Sequence, residues 1–160
     1  MRMADAFNRL ELTIPIFQAP IGGIASPELA AATSNAGGFG HLACTWRTAA
    51  QLRGLFDKMG SLTDKSWGAN FVLDFPIEEQ LSAALLSGVR AISFFWGDGS
   101  KYIGRIKAAG AVAIQVVGSI DEARRAAESG FDLIVAQGRD AGGHVRGRLG
   151  TMSLDRKSVV

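Results

Sequence analysis

Ala136-Gln137-Gly138-Arg139-Asp140-Ala141-Gly142-Gly143-His144 follows directly on an apolar run, Phe131 to Val135. Together the two segments read as a buried parallel strand that ends in a glycine-rich turn with one histidine at its tip. Glycines let backbone amides approach a ligand closely, and imidazole is the side chain whose charge changes near neutral pH. In a barrel of alternating strands and helices, active sites lie at the carboxyl ends of the strands. One turn therefore offers both a cofactor cradle and a candidate base, His144.

Outward from this turn the same unit repeats. Apolar runs at Ile14–Gln18, Phe39–Cys44, Gly68–Leu73, Ala91–Phe95, Val112–Val117 and Leu133–Ala136 are apolar on both faces, the pattern of parallel strands buried on both sides. Helix punctuation separates them. Ser26-Pro27-Glu28 sets an N-cap, a proline at the first helical position and an acid in the first turn, and Asn35-Ala36-Gly37 stops that helix. Ser119-Ile120-Asp121-Glu122 is a capping box closed by Gly130. Thr48–Met59, Ile77–Leu86 and Lys101–Ala109 complete the helices, with Gly60, Gly88 and Gly110 near their ends.

This alternation predicts a parallel α/β fold. Periodicity alone leaves a doubly wound sheet and a (β/α)₈ barrel open. No G-x-G-x-x-G opens the first helix, and Pro20-Ile21-Gly22-Gly23 stands there instead, which favours the barrel. A (β/α)₈ barrel takes about 250 residues. The 160 residues here predict an incomplete TIM barrel of about six of eight strand-helix units, with raw sheet edges.

Composition narrows the class. Hydrophobic residues are 48% and charged residues 20%, as in folded globular chains. The 17 basic and 15 acidic side chains are interspersed, so the net charge of +2 points to neither nucleic acid nor an anionic membrane. The single cysteine, Cys44, excludes an intramolecular disulfide and a cysteine-rich metal site, and it is expected to be a packing residue. Met1 to Glu11 lacks the apolar core of a signal peptide, and no run reaches membrane-spanning length. A cytoplasmic setting is expected.

Several motifs in register then carry a resemblance. Gln18-Ala19-Pro20-Ile21-Gly22-Gly23, Pro27-Glu28-Leu29-Ala30, Asn35-Ala36-Gly37-Gly38-Phe39-Gly40, Gly68-Ala69-Asn70-Phe71 and Ile92-Ser93-Phe94-Phe95-Trp96-Gly97 occur in this order, ahead of the Gln137–His144 turn. From about Pro15 to Gly150 the chain resembles the nitronate monooxygenase family, FMN-dependent TIM-barrel enzymes that oxidise alkyl nitronates with O₂ to a carbonyl compound and nitrite. The resemblance implies FMN as cofactor and a small nitronate or nitroalkane, with O₂, as substrates. It places Asn70, Gln137 and Gly142 at FMN-binding positions, packs the backbone of Ala19, Pro20 and Ile21 against the flavin, and makes His144 the catalytic histidine. Ile21 stands where the family more often has methionine, and Asp140 where it has glutamate.

These roles suit the residue types. A flat isoalloxazine needs a few placed hydrogen bonds, and Asn and Gln amides both donate and accept. Gly142 and Gly143 carry no β-carbon to hold the backbone away. A histidine can take the α-proton of a nitroalkane, or with a preformed nitronate orient the nitro group. Gln115, in an otherwise apolar strand, is a further candidate to face the flavin, and His41 reads as a packed or supporting residue. Asp74, Trp96 and Asp98 are candidates to shape the pocket, with surface or packing roles the expected ones.

The resemblance ends near Gly150, before the two units that supply the family's main phosphate-binding loops. Asp155-Arg156-Lys157-Ser158-Val159-Val160 matches a widely used sequencing adapter read in one frame. Residues 1–154 are therefore expected to be the N-terminal part of one FMN-binding barrel domain, and 155–160 a non-native tail. The competing readings are a flavin-dependent enoyl-acyl-carrier-protein reductase and an inactive barrel fragment.

Overall fold

A computed structural model describes residues 3–158. Among them, five strands form one all-parallel sheet in the order β1 (Gly40–Ala43), β2 (Trp67–Val72), β3 (Ala91–Phe95), β4 (Val112–Val117) and β5 (Leu133–Ala136). Helices α2 (Pro27–Asn35), α3 (Ala49–Leu62), α4 (Glu78–Leu86), α5 (Ile103–Ala108, after a 3₁₀ turn at Ser100–Tyr102) and α6 (Ile120–Ser129) alternate with them, and α7 (Thr151–Ser158) follows β5. This is part of a TIM barrel. A short helix, α1 (Met3–Arg9), precedes everything and has no counterpart among the predicted elements. Of the expected non-native tail, Asp155 to Ser158 continue α7, while Val159 and Val160 lie outside the described residues.

The first predicted strand, Ile14–Gln18, is reduced to a single parallel bridge, Phe17 to Phe39. Two ladder bonds survive, from Phe39 N–H to Ile16 O at 2.8 Å and from Gln18 N–H to Phe39 O at 2.9 Å. The next donor should come from residue 20, but Pro20 has no N–H. The Gln18 side chain takes over, its Nε2 donating to His41 O at 3.2 Å. A proline ends the strand and an amide side chain finishes the ladder. The bridge segment still leads into α2, so six strand-helix units stand in sequence.

The helix signals hold with three differences. The Glu122 carboxylate accepts the Gly118 N–H at 2.7 Å, so the expected Ser119 capping box is not reciprocal. The segment expected as Lys101–Ala109 opens with a 3₁₀ turn, and α3 is longer than expected. Ser26 accepts the Leu29 N–H at 3.2 Å, Ser119 accepts that of Glu122 at 3.2 Å, and Gly130 closes α6 in the left-handed conformation at φ 87°. The third helix runs past Gly60 to Leu62 because a reciprocal Thr48–Gln51 capping box fixes its start and Thr63, in extended conformation, ends it.

Two apolar layers cover the sheet. On the helix side Leu42, Ala69, Phe71, Ile92, Phe94 and Ala113 pack against Leu52, Phe56, Leu81 and Ile106. The inner side is closed at one end by Ala6 and Leu10, from α1 and just beyond it, with Phe39, Ala91, Val112 and Ile114. The Arg9 guanidinium ties this plug to the Gly110 and Ala111 carbonyls at 3.3 and 3.2 Å. The last strand departs from expectation. Ile134 and Val135 of β5 are 38% and 44% exposed, because β5 is a sheet edge with β4 as its neighbour on one side only.

Close approach of α2 to β1 depends on Gly40, where a β-carbon would overlap the Ala30 carbonyl. Gly40→Ala is expected to cost about 3 kcal/mol through forced backbone displacement. Gly54→Ala, on an open face of α3, should instead add up to about 1 kcal/mol of helix stability. Denaturant unfolding of the two variants checks both signs.

Candidate active site

Three loops meet at the carboxyl ends of the strands. They precede α2, follow β1 and follow β5, and they enclose a cleft of about 750 Å³ lined by Ile21, Gly22, Gly23, Trp46, Arg47, Gln51, Gly143 and His144. Of the residues singled out from sequence, Ile21, Gly143 and His144 line this cleft together. Ala19 and Pro20 lie on the same loop as Ile21, and Gly142 adjoins Gly143 with open space where its β-carbon would be.

The loop after β5 is stapled by side chains. The Gln137 amide donates to His144 O at 3.0 Å, and its oxygen accepts the Arg146 N–H at 3.2 Å. Gln137 therefore fixes the backbone on which the histidine sits. Asp140 accepts the Thr151 N–H at 2.7 Å and its hydroxyl at 3.0 Å, which caps α7 and holds the carboxyl below its ordinary range. Gly138 is needed here, since a β-carbon would overlap the Thr151 amide. Arg146 pairs with Glu122 at 3.0 Å and ties the loop to the start of α6.

His144 is exposed, and its ring meets Trp96 edge to face, with centroids 5.5 Å apart and planes at 85°. Trp96 is a non-glycine residue at φ 54°, a conformation that costs about 1–2 kcal/mol. The indole is stacked on Phe95 at 5.0 Å. The sequence favours surface or packing for Trp96 over a pocket-shaping role, and the structure puts it beside the candidate base. Its signal was a large aromatic at a strand end, inside the glycine-flanked turn Trp96-Gly97-Asp98-Gly99. Trp46, Arg47 and Gln51 were also missed as lining residues, because nothing in their spacing ties them to the Gly143-His144 turn.

Asn70 is not among the lining residues. It is buried on β2, and its amide nitrogen donates to Ser93 Oγ at 2.8 Å and lies 3.3 Å from Ser93 O. Gln115 does not face the inner side. It pins the loop after β3, accepting the Gly99 N–H at 3.2 Å and donating toward Phe94 O and Gly97 O at 3.4 Å. Among the described residues, no cluster of three or more His, Cys, Asp or Glu side chains could hold a metal ion, and no helix is long and apolar enough to cross a membrane.

A histidine and glycines at a cleft over strand ends, in a parallel α/β chain, agree with the family comparison. Residues 7–159 match the model of the nitronate monooxygenase family. The chain belongs to that family. It is 31% identical to a nitronate monooxygenase of Pseudomonas aeruginosa, covering 89% of this chain and 52% of that protein. It is 35% identical to a Rhodococcus jostii (3aS,4S,5R,7aS)-5-hydroxy-7a-methyl-1-oxo-octahydro-1H-indene-4-carboxyl-CoA dehydrogenase, covering 81% of this chain and 37% of that one. Among solved structures, FabK from Thermotoga maritima superposes with a TM-score of 0.91 at 31% identity, over 96% of this chain and 50% of that chain. The nitroalkane oxidase of Streptomyces ansochromogenes gives 0.88 at 27% identity, over 96% and 57%. The chain thus spans about half the length, or less, of the curated relatives it matches.

Two buried groups of this family member have displaced titrations. Cys44 is fully buried and its thiol is pushed up to about 12, which agrees with a packing role. Burial lowers His41 from 6.5 to about 4, a hydrogen bond to the Ala69 backbone opposing the shift, so the ring is neutral at physiological pH. The unfolded chain takes up this proton as pH falls through 6.5 and the folded chain does not, so stability is full above 6.5 and declines toward 4. The lowered carboxylates Glu28, Glu78 and Asp140 have ordinary values of 4.5 or less, so their share of acid destabilisation comes mainly below His41's. Thermal melts from pH 7 to 4.5 should show a loss of about 2 kcal/mol, which a His41→Gln variant flattens.

Proposed function

We propose that this chain is the N-terminal part of an FMN-dependent enzyme that oxidises alkyl nitronates or nitroalkanes with O₂ to a carbonyl compound and nitrite. The observation that carries this reading is the placement of His144 on the same cleft as the Ile21–Gly23 loop, in a chain of the nitronate monooxygenase family. In this reading residues 1–154 belong to a single barrel domain, residues 155–160 are foreign to it, and the enzyme works in the cytoplasm.

The residues present fit a flavin. The cleft is in the size range of small-molecule sites, about 300–1,000 Å³. Gly142 and Gly143 leave open space where other residues would carry β-carbons. At the root of the Ala19–Gly23 loop, Gln18 Oε1 is buried without a hydrogen-bond partner, an acceptor of the kind a ring N–H satisfies. Ala19, Pro20 and Ile21 would pack against the ring through their backbone, with Asn70, Gln137, Gly142 and Gly143 holding its polar edges. FMN, when bound, supplies the electron transfer between the substrate carbon and O₂.

The chain's own side chains do the rest. His144 takes the α-proton of a neutral nitroalkane at an imidazole nitrogen, and with a preformed nitronate it donates a hydrogen bond to the nitro group. Trp96 meets its ring edge to face and limits the ring's rotation. Gln137 holds the His144 carbonyl and so the height of the loop. Trp46 and Ile21 would supply apolar wall beside the reacting carbon.

The second flavin-linked reading that the sequence leaves open is the NAD(P)H-dependent reduction of a carbon–carbon double bond by an enoyl-acyl-carrier-protein reductase. Nitrite release from a nitronate in air, without NAD(P)H, supports the first reading. Rapid bleaching of the flavin by NADH supports the second. A colourless, non-cooperative chain after reconstitution supports an inactive fragment.

For the full-length enzyme, His144→Asn is expected to lower nitroethane turnover by at least about a hundredfold with flavin content retained. Normal nitrite release by that variant would place the base elsewhere.

A further inference from the structure

Inside the barrel, below the strand ends, three polar side chains from three adjacent strands touch one another. His41 of β1, Asn70 of β2 and Ser93 of β3 are 4%, 5% and 2% exposed. Asn70 Nδ2 lies 2.8 Å from Ser93 Oγ, and Ser93 Oγ lies 3.0 Å from His41 Nε2. His41 reaches across an intervening strand because its register partner on β2 is Gly68. A β-carbon at Gly68 would stand 2.9 Å from Nε2 and 2.7 Å from the Phe39 ring. The glycine is a notch that the imidazole fills.

Hydrogen-bond chemistry gives this chain one direction. The Asn70 amide atom facing Ser93 also lies 3.3 Å from the Ser93 carbonyl, which only accepts, so that atom is the nitrogen. An amide nitrogen only donates, so Ser93 Oγ is its acceptor; among the described residues the hydroxyl has one further partner, His41 Nε2, and its hydrogen goes there. That nitrogen must be bare, which leaves the ring proton on Nδ1. Each donor from Asn70 through Ser93 then has an acceptor, and a flipped amide would set Oδ1 against the Ser93 carbonyl. The planar amide puts Oδ1 on the side away from Ser93.

We propose that Ser93 and His41 are positioning residues that lock the Asn70 amide in one orientation, so that a bound flavin meets a fixed acceptor at Oδ1. This rests on the flavin reading for its ligand, but the hydrogen-bond order stands apart from it. The neutrality of the buried His41 ring agrees with its role as acceptor.

The test uses the full-length protein. Its ¹⁵N-histidine spectrum at pH 7 should show His41 protonated on Nδ1 and bare at Nε2. FMN titrations, followed by flavin fluorescence, should give binding about tenfold weaker in Ser93→Ala, and likewise in His41→Phe, which keeps a ring in the notch without an acceptor. Ser93→Thr, which keeps the hydroxyl, should bind within about threefold of wild type. Wild-type affinity in both Ser93→Ala and His41→Phe overturns the proposal, as does a proton on Nε2. If the wild-type protein binds no flavin, the functional reading fails, and the tautomer alone decides the orientation.

Discussion

Parallel pairing leaves a chain little freedom. Each strand must return to its starting end through a crossover, and a twisted strand followed by a helix makes that crossover in one hand. All five carboxyl ends in this sheet therefore open on the same side. The loops around the cleft belong to segments far apart in sequence, from Ile21 to His144, and only the ladder brings them together. The ladder also explains the layers. Strands buried from both sides need apolar cover on both, and α2 to α6 supply one face while α1 plugs the other.

Much of this was legible in the sequence because it depends on local rules. Doubly apolar runs mark β1 to β4, Ser26 and Ser119 cap the helices that follow them, and Gly130 takes the left-handed turn for which it was singled out. The first run misled because its composition is that of a strand while Pro20 withholds one ladder donor. The last run misled because burial is a property of the neighbour as well as of the strand, and β5 has a neighbour on one side. The helix α1 carries no strong cap or period, and its role as a plug comes from what it covers.

The site divides the same way. The Gln137–His144 turn could be read because its residues are adjacent, although Gln137 serves first as a staple for the loop and only then as a candidate ligand. Asn70 could be named, but its partners could not. Ser93 is 23 residues away and His41 is 52 residues from Ser93. Their meeting requires the register of three strands, which no local pattern specifies. Trp96 was likewise hidden, since its contact with His144 joins the loops after β3 and β5.

The ladder repair at Pro20 has a mechanical meaning. Beyond Gln18 the loop that forms one wall of the cleft hangs from β1 by a side-chain amide. A backbone ladder opens only by parting strands, whereas a side chain releases by rotating about its own bonds. Breaking that tether costs one hydrogen bond, about 1 kcal/mol, and leaves the pairing of Phe17 and Phe39 intact. The wall's attachment to β1 is thus separate from the pairing that holds the sheet together.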